Sequence, residues 1–391
     1  MININIREEI FGATLNVLDF GKREYITRKE LRDILKKNKY PKDSIANKIT
    51  DPKVKFVSLK TRCKPSKKGF CFADIVFIEL TRGCNLRCKH CLNDSGKPLQ
   101  NQLTKKDFIK IINDLSEAGI QEIRFTGGEP LLFSGIYDLI RQATNLGIYT
   151  SLGTNGTLIT DEVVKKLKKA GLRKAVISID GTEKMHDSLR GVGNYKKALD
   201  GAMLLKQNGI EVRINSVIMR SNIKEVIKFA REMDKKHIHL FIRRFIESGR
   251  GALLKDNMLT AEDYEKVRNA LKAEINDRPY VNGHYLRNDE GITSRIKLPF
   301  EIKGCKAGQR AFTIMPDGEI NLCGFLAAQG FQGISNVRDI KNWNGFWNEL
   351  QEHDKLAFLR KNLNKYNAIP NIQETYCLAY IQRYCSLEGK C

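Results

Sequence analysis

The chain has 391 residues, room for two or three domains, and 41% of them are hydrophobic, an ordinary globular proportion. No apolar run approaches a membrane span, and the start MININIREEIFG lacks a basic-then-apolar export signal, so we expect a soluble, cytoplasmic protein with no membrane partner. The net charge of +22, from 67 basic and 45 acidic side chains, favours an acidic partner: nucleic acid, an acidic peptide or a phosphorylated small molecule. The plain alternative is a lysine-rich surface without a target, since pairs such as Lys36-Lys37 and Lys165-Lys166 are scattered rather than gathered in one arm. Ten cysteines in such a chain suggest metal binding more than disulfides.

Residues 1–73 read as a small α+β module. Ala13 to Asp19 is a strand, Gly21 a turn, and Arg23 to Ile26 its partner. Thr27 can cap a helix from Arg28 to Lys37, which gives a hairpin followed by a helix, of winged-helix type. Arg62 to Cys71 is a basic, turn-rich linker. Cys63 and Cys71 are near enough in sequence to share a metal, but no further ligand is close by, so both read as free thiols without a role.

From Asp74 the pattern is strand then helix, repeated. The strands are Asp74–Leu80, Glu122–Thr126, Ile148–Leu152, Ala175–Ile179, Val212–Met219 and Ile238–Phe245. Helices lie between them at Lys105–Ala118, Gly135–Asn145, Asp161–Ala170, Tyr195–Gln207 and Ile223–Lys235, several closed by glycine. Right-handed crossovers make one parallel sheet. Six strands are too few for an eight-stranded barrel, so residues 74–250 predict an α/β fold, a partial, open (βα)6 barrel.

The loop leaving the first strand, TRGCNLRCKHCLNDSG over Thr81 to Gly96, carries Cys84, Cys88 and Cys91. Thiolates at this spacing suit three corners of an iron–sulfur cube and leave the fourth iron open to a small molecule. Structural zinc wants four ligands, usually in two separated pairs, and His90 between two of the cysteines is poorly placed as the fourth. Unconnected buried thiols are the bland alternative. Other strand ends also carry candidates. Gly127 and Gly128 let backbone approach a ligand, and Glu129 can accept from an ammonium group; an ordinary glycine turn is the alternative. Ser178 and Asp180 alternate on a strand, so both can face the interior.

Cys84-x3-Cys88-x2-Cys91 resembles the signature of the radical S-adenosylmethionine (SAM) superfamily. That resemblance implies that the three cysteines hold a [4Fe–4S] cluster whose open iron is chelated by SAM. One electron, from a flavodoxin- or ferredoxin-type reductant, then cleaves SAM to a 5′-deoxyadenosyl radical that abstracts hydrogen from the substrate. It also implies SAM contacts: His90 near the adenine, Gly127-Gly128-Glu129 at the amino group, Asn155 after the third strand, and Ser178 with Asp180 near the ribose or carboxylate. Arg190 would steady the carboxylate as a bidentate partner, and Asn215 and Met219 would meet ribose and adenine. For Arg190 and Asn215 a surface ion pair or a strand-end cap is the alternative.

Residues 251–391 open with a helix near Ala261 to Ile275 and end with Cys305, Cys323, Cys377, Cys385 and Cys391. Phe312–Met315 and Glu319–Cys323 read as a hairpin turning at Pro316-Asp-Gly318. Cys305-x12-Gly318-x4-Cys323 resembles the opening of SPASM and twitch domains, which hold auxiliary iron–sulfur clusters. The tail departs from the full SPASM pattern: Gln382 stands where a cysteine three before Cys385 is expected, and the sequence stops at Cys391. We therefore expect one auxiliary [4Fe–4S] cluster, from Cys305 and Cys323 plus two of Cys377, Cys385 and Cys391, with structural zinc as the alternative. Because the hairpin follows the last barrel strand, we expect it to fold back over the barrel mouth.

This combination resembles enzymes that modify a peptide or protein. N-terminal modules of such enzymes often bind a precursor's leader by strand addition, and an acidic leader suits the charge; a plain structural cap on the barrel is the equal alternative for residues 1–73. Three other readings stand: a haem- or molybdopterin-precursor type of cofactor enzyme, an RNA-modifying enzyme with salt-sensitive affinity, and a non-enzymatic iron–sulfur electron carrier. The last has no need of the Gly127–Pro130 element.

Overall fold

The computed structural model describes residues 2–9, 12–17, 22–37, 54–58, 71–274, 281–283, 307–354 and 356. Two sheets organise them. The smaller joins β1 (Ile2–Glu9), β2 (Gly12–Val17), β3 (Lys22–Thr27) and β4 (Val54–Ser58) in the order β3-β2-β1-β4. The predicted hairpin is β2 and β3, and α1 (Arg28–Lys37) follows as expected. Thr27 and Glu30 cap it reciprocally: the Thr27 backbone donates to the Glu30 carboxylate at 2.8 Å and the Glu30 backbone donates to Thr27 Oγ1 at 3.2 Å. Sequence reasoning missed β1, an inner strand, antiparallel to β2 and parallel to β4. Its signal was the alternation of Ile2, Ile4 and Ile6.

The larger sheet has ten strands in the order β11-β10-β9-β8-β7-β6-β5-β12-β13-β14. Its centre is the six expected strands: β5 (Ile75–Glu79), β6 (Glu122–Thr126), β7 (Tyr149–Thr154), β8 (Lys174–Ser178), β9 (Glu211–Ile218) and β10 (His239–Arg244), all parallel. The helices between them are α2 (Lys105–Ala118), α3 (Ile136–Asn145), α4 (Asp161–Ala170), α5 (Glu183–Arg190), α6 (Asn194–Gln207) and α7 (Ile223–Lys235), with α8 (Ala261–Glu274) beyond β10. Thr104 caps α2 with a full capping box, and Gly119 closes it in the left-handed region. One strand face packs apolar side chains such as Val76, Ile123, Leu152, Ile177 and Ile214 against the helices. The other face lines the barrel interior, the alternation that the pleat requires.

The hairpin forms where predicted, as β12 (Ala311–Ile314) and β13 (Glu319–Asn321), but its position differs from expectation. β12 pairs in parallel with β5, Phe312 opposite Val76 and Ile314 opposite Ile78, so the hairpin extends the barrel sheet beyond its first strand. Two causes are visible. The outer side of β5 would otherwise leave a row of backbone groups unpaired. Phe312 also fills an aromatic nest of Phe72, Trp343, Phe346 and Trp347, built from the β5 approach and α10 (Trp343–Glu352). β11 (Val281–Gly283) and β14 (Ser335–Asn336) complete the two ends of the sheet.

A buried ion cluster ties three parts of the chain together. Asp74, at the entry to β5, accepts from Arg7 of β1 at 2.8 Å and from Arg310, just before β12, at 2.6 Å. Arg7 also donates to the carbonyls of Ala73 and Gly119, and the Arg310 guanidinium lies over the Tyr25 ring. Cys71 is disulfide-bonded, not the free thiol expected; Cys63 lies outside the described residues. No helix among the described residues is long and apolar enough to cross a membrane.

Candidate active site

The three-cysteine loop is closed at its base. The Cys84 backbone donates to the Gly96 carbonyl at 3.0 Å, and the Gly96 backbone donates to Arg82 at 2.9 Å. Gly127 and Gly128, at the end of β6, pack directly on this closure: the Gly128 N–H donates to Thr81 O and the Glu129 N–H to Gly83 O. A Cβ on Gly128 would sit 2.2 Å from Gly83 O. The close approach that these glycines serve is therefore to the cysteine loop itself, where the sequence had suggested a ligand.

The three thiols carry no disulfide. Backbone N–H groups of Leu86 and Ser95 donate to Cys84 Sγ and Cys91 Sγ at 3.4 and 3.3 Å, and Arg190 Nη1 lies 3.8 Å from Cys88 Sγ. Burial pushes the Cys84 and Cys88 thiols up, so held as thiolates they call for a positive partner. Among the described residues no three His, Cys, Asp or Glu side chains close on a single ion; a cube spreads its thiolates over its corners, wider than one ion does. The donor set and its N–H···S bonds fit an iron–sulfur cluster.

The predicted SAM contacts gather around this loop. Glu129 is fully buried, and its carboxylate accepts from Thr154 Oγ1 and the Asn155 N–H at 2.8 Å and from the Leu131 N–H at 3.2 Å. It spends its acceptor capacity on the ends of β6 and β7, and burial pushes it up to about 7. Asn155 in turn reaches Asn85 Oδ1 at 2.8 Å. Asp180 is a buried hub. It accepts from Arg190 Nε at 2.6 Å, His90 Nε2 lies 2.9 Å away, and the Val217 N–H donates to it at 2.7 Å. Burial works against its charge, but Arg190 and His90 outweigh that and hold it well below the usual carboxylate range. Its observed partners make it the residue that orients Arg190 and His90. Ser178 and Asn215 are opposite neighbours on β8 and β9, and Asn215 Oδ1 is buried without a hydrogen-bond partner among the described residues, open to a ligand hydroxyl. Met219 is fully buried against Leu189 and Phe245.

Several contributors escaped the sequence reading. After β10, Arg250 donates to Cys88 O and Ser95 O, each at 2.8 Å, and Gly249 sits against the carbonyls of Cys91 and Leu92. Asn93 holds both oxygens of buried Glu79 at 3.2 Å. α5, which delivers Arg190, was also missed, although Gly191 after Arg190 is an ordinary helix stop. Of the proposed auxiliary ligands, Cys323 is described. It caps α9 (Gly324–Ala328), accepting from the Leu326 N–H at 3.4 Å. Cys305, Cys377, Cys385 and Cys391 lie outside the described residues.

Residues 78–233 match the model of the radical SAM superfamily. The chain is 32% identical to an AdoMet-dependent heme synthase of Oleidesulfovibrio alaskensis over 287 residues, spanning 68% of this chain and 72% of that protein. It belongs to the radical SAM superfamily. This radical SAM enzyme is also 30% identical to the mycofactocin maturase MftC of Mycolicibacterium smegmatis, over 72% of this chain and 71% of MftC. Its fold matches SuiB of Streptococcus suis bound to S-adenosylmethionine, with a TM-score of 0.68 at 17% identity over 97% and 95% of the two chains. The match to SuiB bound to its precursor peptide SuiA has a TM-score of 0.65 at 19% identity, over 89% and 88%. Superfamily membership implies a [4Fe–4S] cluster and SAM, and the loop described above is the site that fits them. When bound, they supply one-electron cleavage of SAM and hydrogen abstraction from the substrate.

Proposed function

We propose that this radical SAM enzyme modifies a peptide or protein substrate, by crosslinking or oxidation, with residues 1–73 engaging the substrate, 74–250 generating the radical and 251–391 carrying one auxiliary [4Fe–4S] cluster. The observation that carries the reading is the N-terminal sheet and its buried tether: β3 and β4 are its outer strands among the described residues, and Arg7 of β1 is locked to Asp74 at the start of the barrel. An outer strand can receive an extended peptide as an added strand. The charge of +22 suits an acidic leader, and MftC is named a maturase while SuiB was solved with a precursor peptide.

In this reading Cys84, Cys88 and Cys91 hold the SAM-binding cluster, and the backbone of Gly127–Glu129 with Asn155, Ser178, Arg190, Asn215, His90 and Met219 shapes the SAM pocket, Asp180 fixing two of them. Cys323 contributes to the auxiliary cluster with Cys305 and two of the last three cysteines. A flavodoxin or ferredoxin type of protein supplies the electron. Identity to the heme synthase favours a second reading, a tetrapyrrole carboxylate as substrate. The test is anaerobic incubation of the reconstituted enzyme with SAM and reductant, once with the product of any short reading frame found beside its gene and once with iron–coproporphyrin. Loss of hydrogen mass from the peptide supports peptide maturation; an unchanged peptide and a converted porphyrin contradict it.

A further inference from the structure

Below the mouth, the interior of the barrel is charged. Along β9, Glu211, Arg213, Asn215 and Val217 keep partial exposure toward the lumen, while Val212, Ile214, Ser216 and Ile218 on the opposite face are buried. The deeper charges are paired. Arg124 meets Glu122 at 3.0 Å and donates to Ser151 Oγ at 3.0 Å. Lys174 pairs with Glu211, which also accepts from the Tyr149 hydroxyl at 3.0 Å. Arg213 lies within electrostatic reach of Glu122 and Glu211, whose carboxylates are already paired with Arg124 and Lys174. It makes a face contact with the Phe241 ring at 5.0 Å, and its Nε is buried without a hydrogen-bond partner among the described residues. Its neighbour Arg243 lies over Phe325 of α9 at 4.8 Å.

We propose that Arg213 anchors a carboxylate of the substrate inside the barrel. The inference deepens the function proposed above and rests on a substrate entering through the mouth. Arg213 is two residues below Asn215 on β9, about 6–7 Å further into the lumen. A substrate held there by its carboxylate places the carbon atoms beyond that group level with Ser178 and Asn215, at the edge of the proposed SAM pocket. A guanidinium fork matches a planar carboxylate through two parallel hydrogen bonds. The surroundings favour an incoming anion: burial, with Arg124 and Arg243 close by, outweighs the opposing pull of Glu122 and Glu211 and pushes Arg213 down to about 9. The aromatic contact of Arg213 holds its guanidinium plane against the Phe241 ring without itself supplying a negative charge.

The test uses acetate as a minimal probe of the anaerobically reconstituted full chain, against acetamide with sodium chloride at matched ionic strength. Acetate at about 100 mM is expected to raise the melting temperature by about 2 °C or more, and acetamide to leave it unchanged. The shift should persist with SAM at saturation. Arg213→Met should abolish it and leave the ligand-free protein as stable as wild type or more so, because a buried cation whose neighbouring carboxylates are already paired with other cations has been removed. Arg213→Lys should retain a smaller shift. No acetate shift in wild type, a shift that survives Arg213→Met, or an Arg213→Met protein that melts lower than wild type overturns the proposal. A shift abolished by SAM would assign Arg213 to the SAM carboxylate and overturn it too. The probe is small, so the result stands whether or not the full substrate is a peptide; that reading fails separately, on the peptide and porphyrin incubations.

Discussion

Glu129 shows how one buried carboxylate can hold a loop that serves another part of the site. Replacing it with alanine strips the acceptor from the buried Asn155 N–H, an orphaned donor that costs about 1–3 kcal/mol, and from the part-buried Leu131 N–H. Glu129→Ala should therefore lower stability and SAM affinity together, measured by denaturant unfolding and by calorimetric titration of SAM. A fall in affinity at unchanged stability would mean that the side chain meets SAM directly. His186 carries a pH prediction. Its Nδ1 accepts from the Asp180 N–H at 3.2 Å, and burial with Arg190 nearby pushes it down to about 4. The unfolded chain binds the proton first, so stability is full above the ordinary histidine pKa of about 6.5 and is lost as pH falls from there toward 4. Unfolding midpoints from pH 7.5 down to 5.5 should fall less steeply in His186→Gln than in wild type. Legibility at this scale was uneven. The cysteines announced themselves by spacing, but Arg250 and Asn93 did not. Arg250 grips backbone carbonyls about 160 residues away, and such pairing leaves no local pattern. The two glycines were seen, while their purpose, clearance of Gly127 for Thr81 O and of Gly128 for Gly83 O, required the folded loop.

Among elements, the repeated strands and helices were readable because each strand is an apolar or alternating run bounded by turns and the crossover helices carry 3.6-residue stripes. β1 has an equally clean alternation, yet nothing local says that it will be an inner strand or that Arg7 will be fully buried. The position of β12 was misjudged for a related reason. Chain order placed the hairpin after β10, whereas the unpaired side of β5 and the aromatic nest around Phe312 decided where it docked. The Arg7–Asp74–Arg310 cluster connects these two additions. Asp74→Asn leaves two buried guanidinium groups without their carboxylate, and breaking such a pair costs about 3–5 kcal/mol. We expect that loss in equilibrium unfolding, together with faster proteolysis within residues 1–58. A change below about 1 kcal/mol would show that the cluster does not hold the N-terminal sheet to the barrel.

At the scale of the molecule, one sheet runs from the hairpin through the barrel, and its active edge collects contributions from the successive strand ends and from the segment after β10. The cysteine loop is supported by β6 through Gly127–Glu129, by β7 through Asn155, by α5 through Arg190, and by the segment after β10 through Arg250. The central claim is that this assembly reductively cleaves SAM at a cluster held by Cys84, Cys88 and Cys91. The most direct measurement is 5′-deoxyadenosine formed from SAM by anaerobically reconstituted, dithionite-reduced protein, with iron content determined on the same sample. Wild type should form it, and Cys88→Ala should form none. Iron-loaded wild type that leaves SAM intact, or Cys88→Ala protein that cleaves it at the wild-type rate, would contradict the claim.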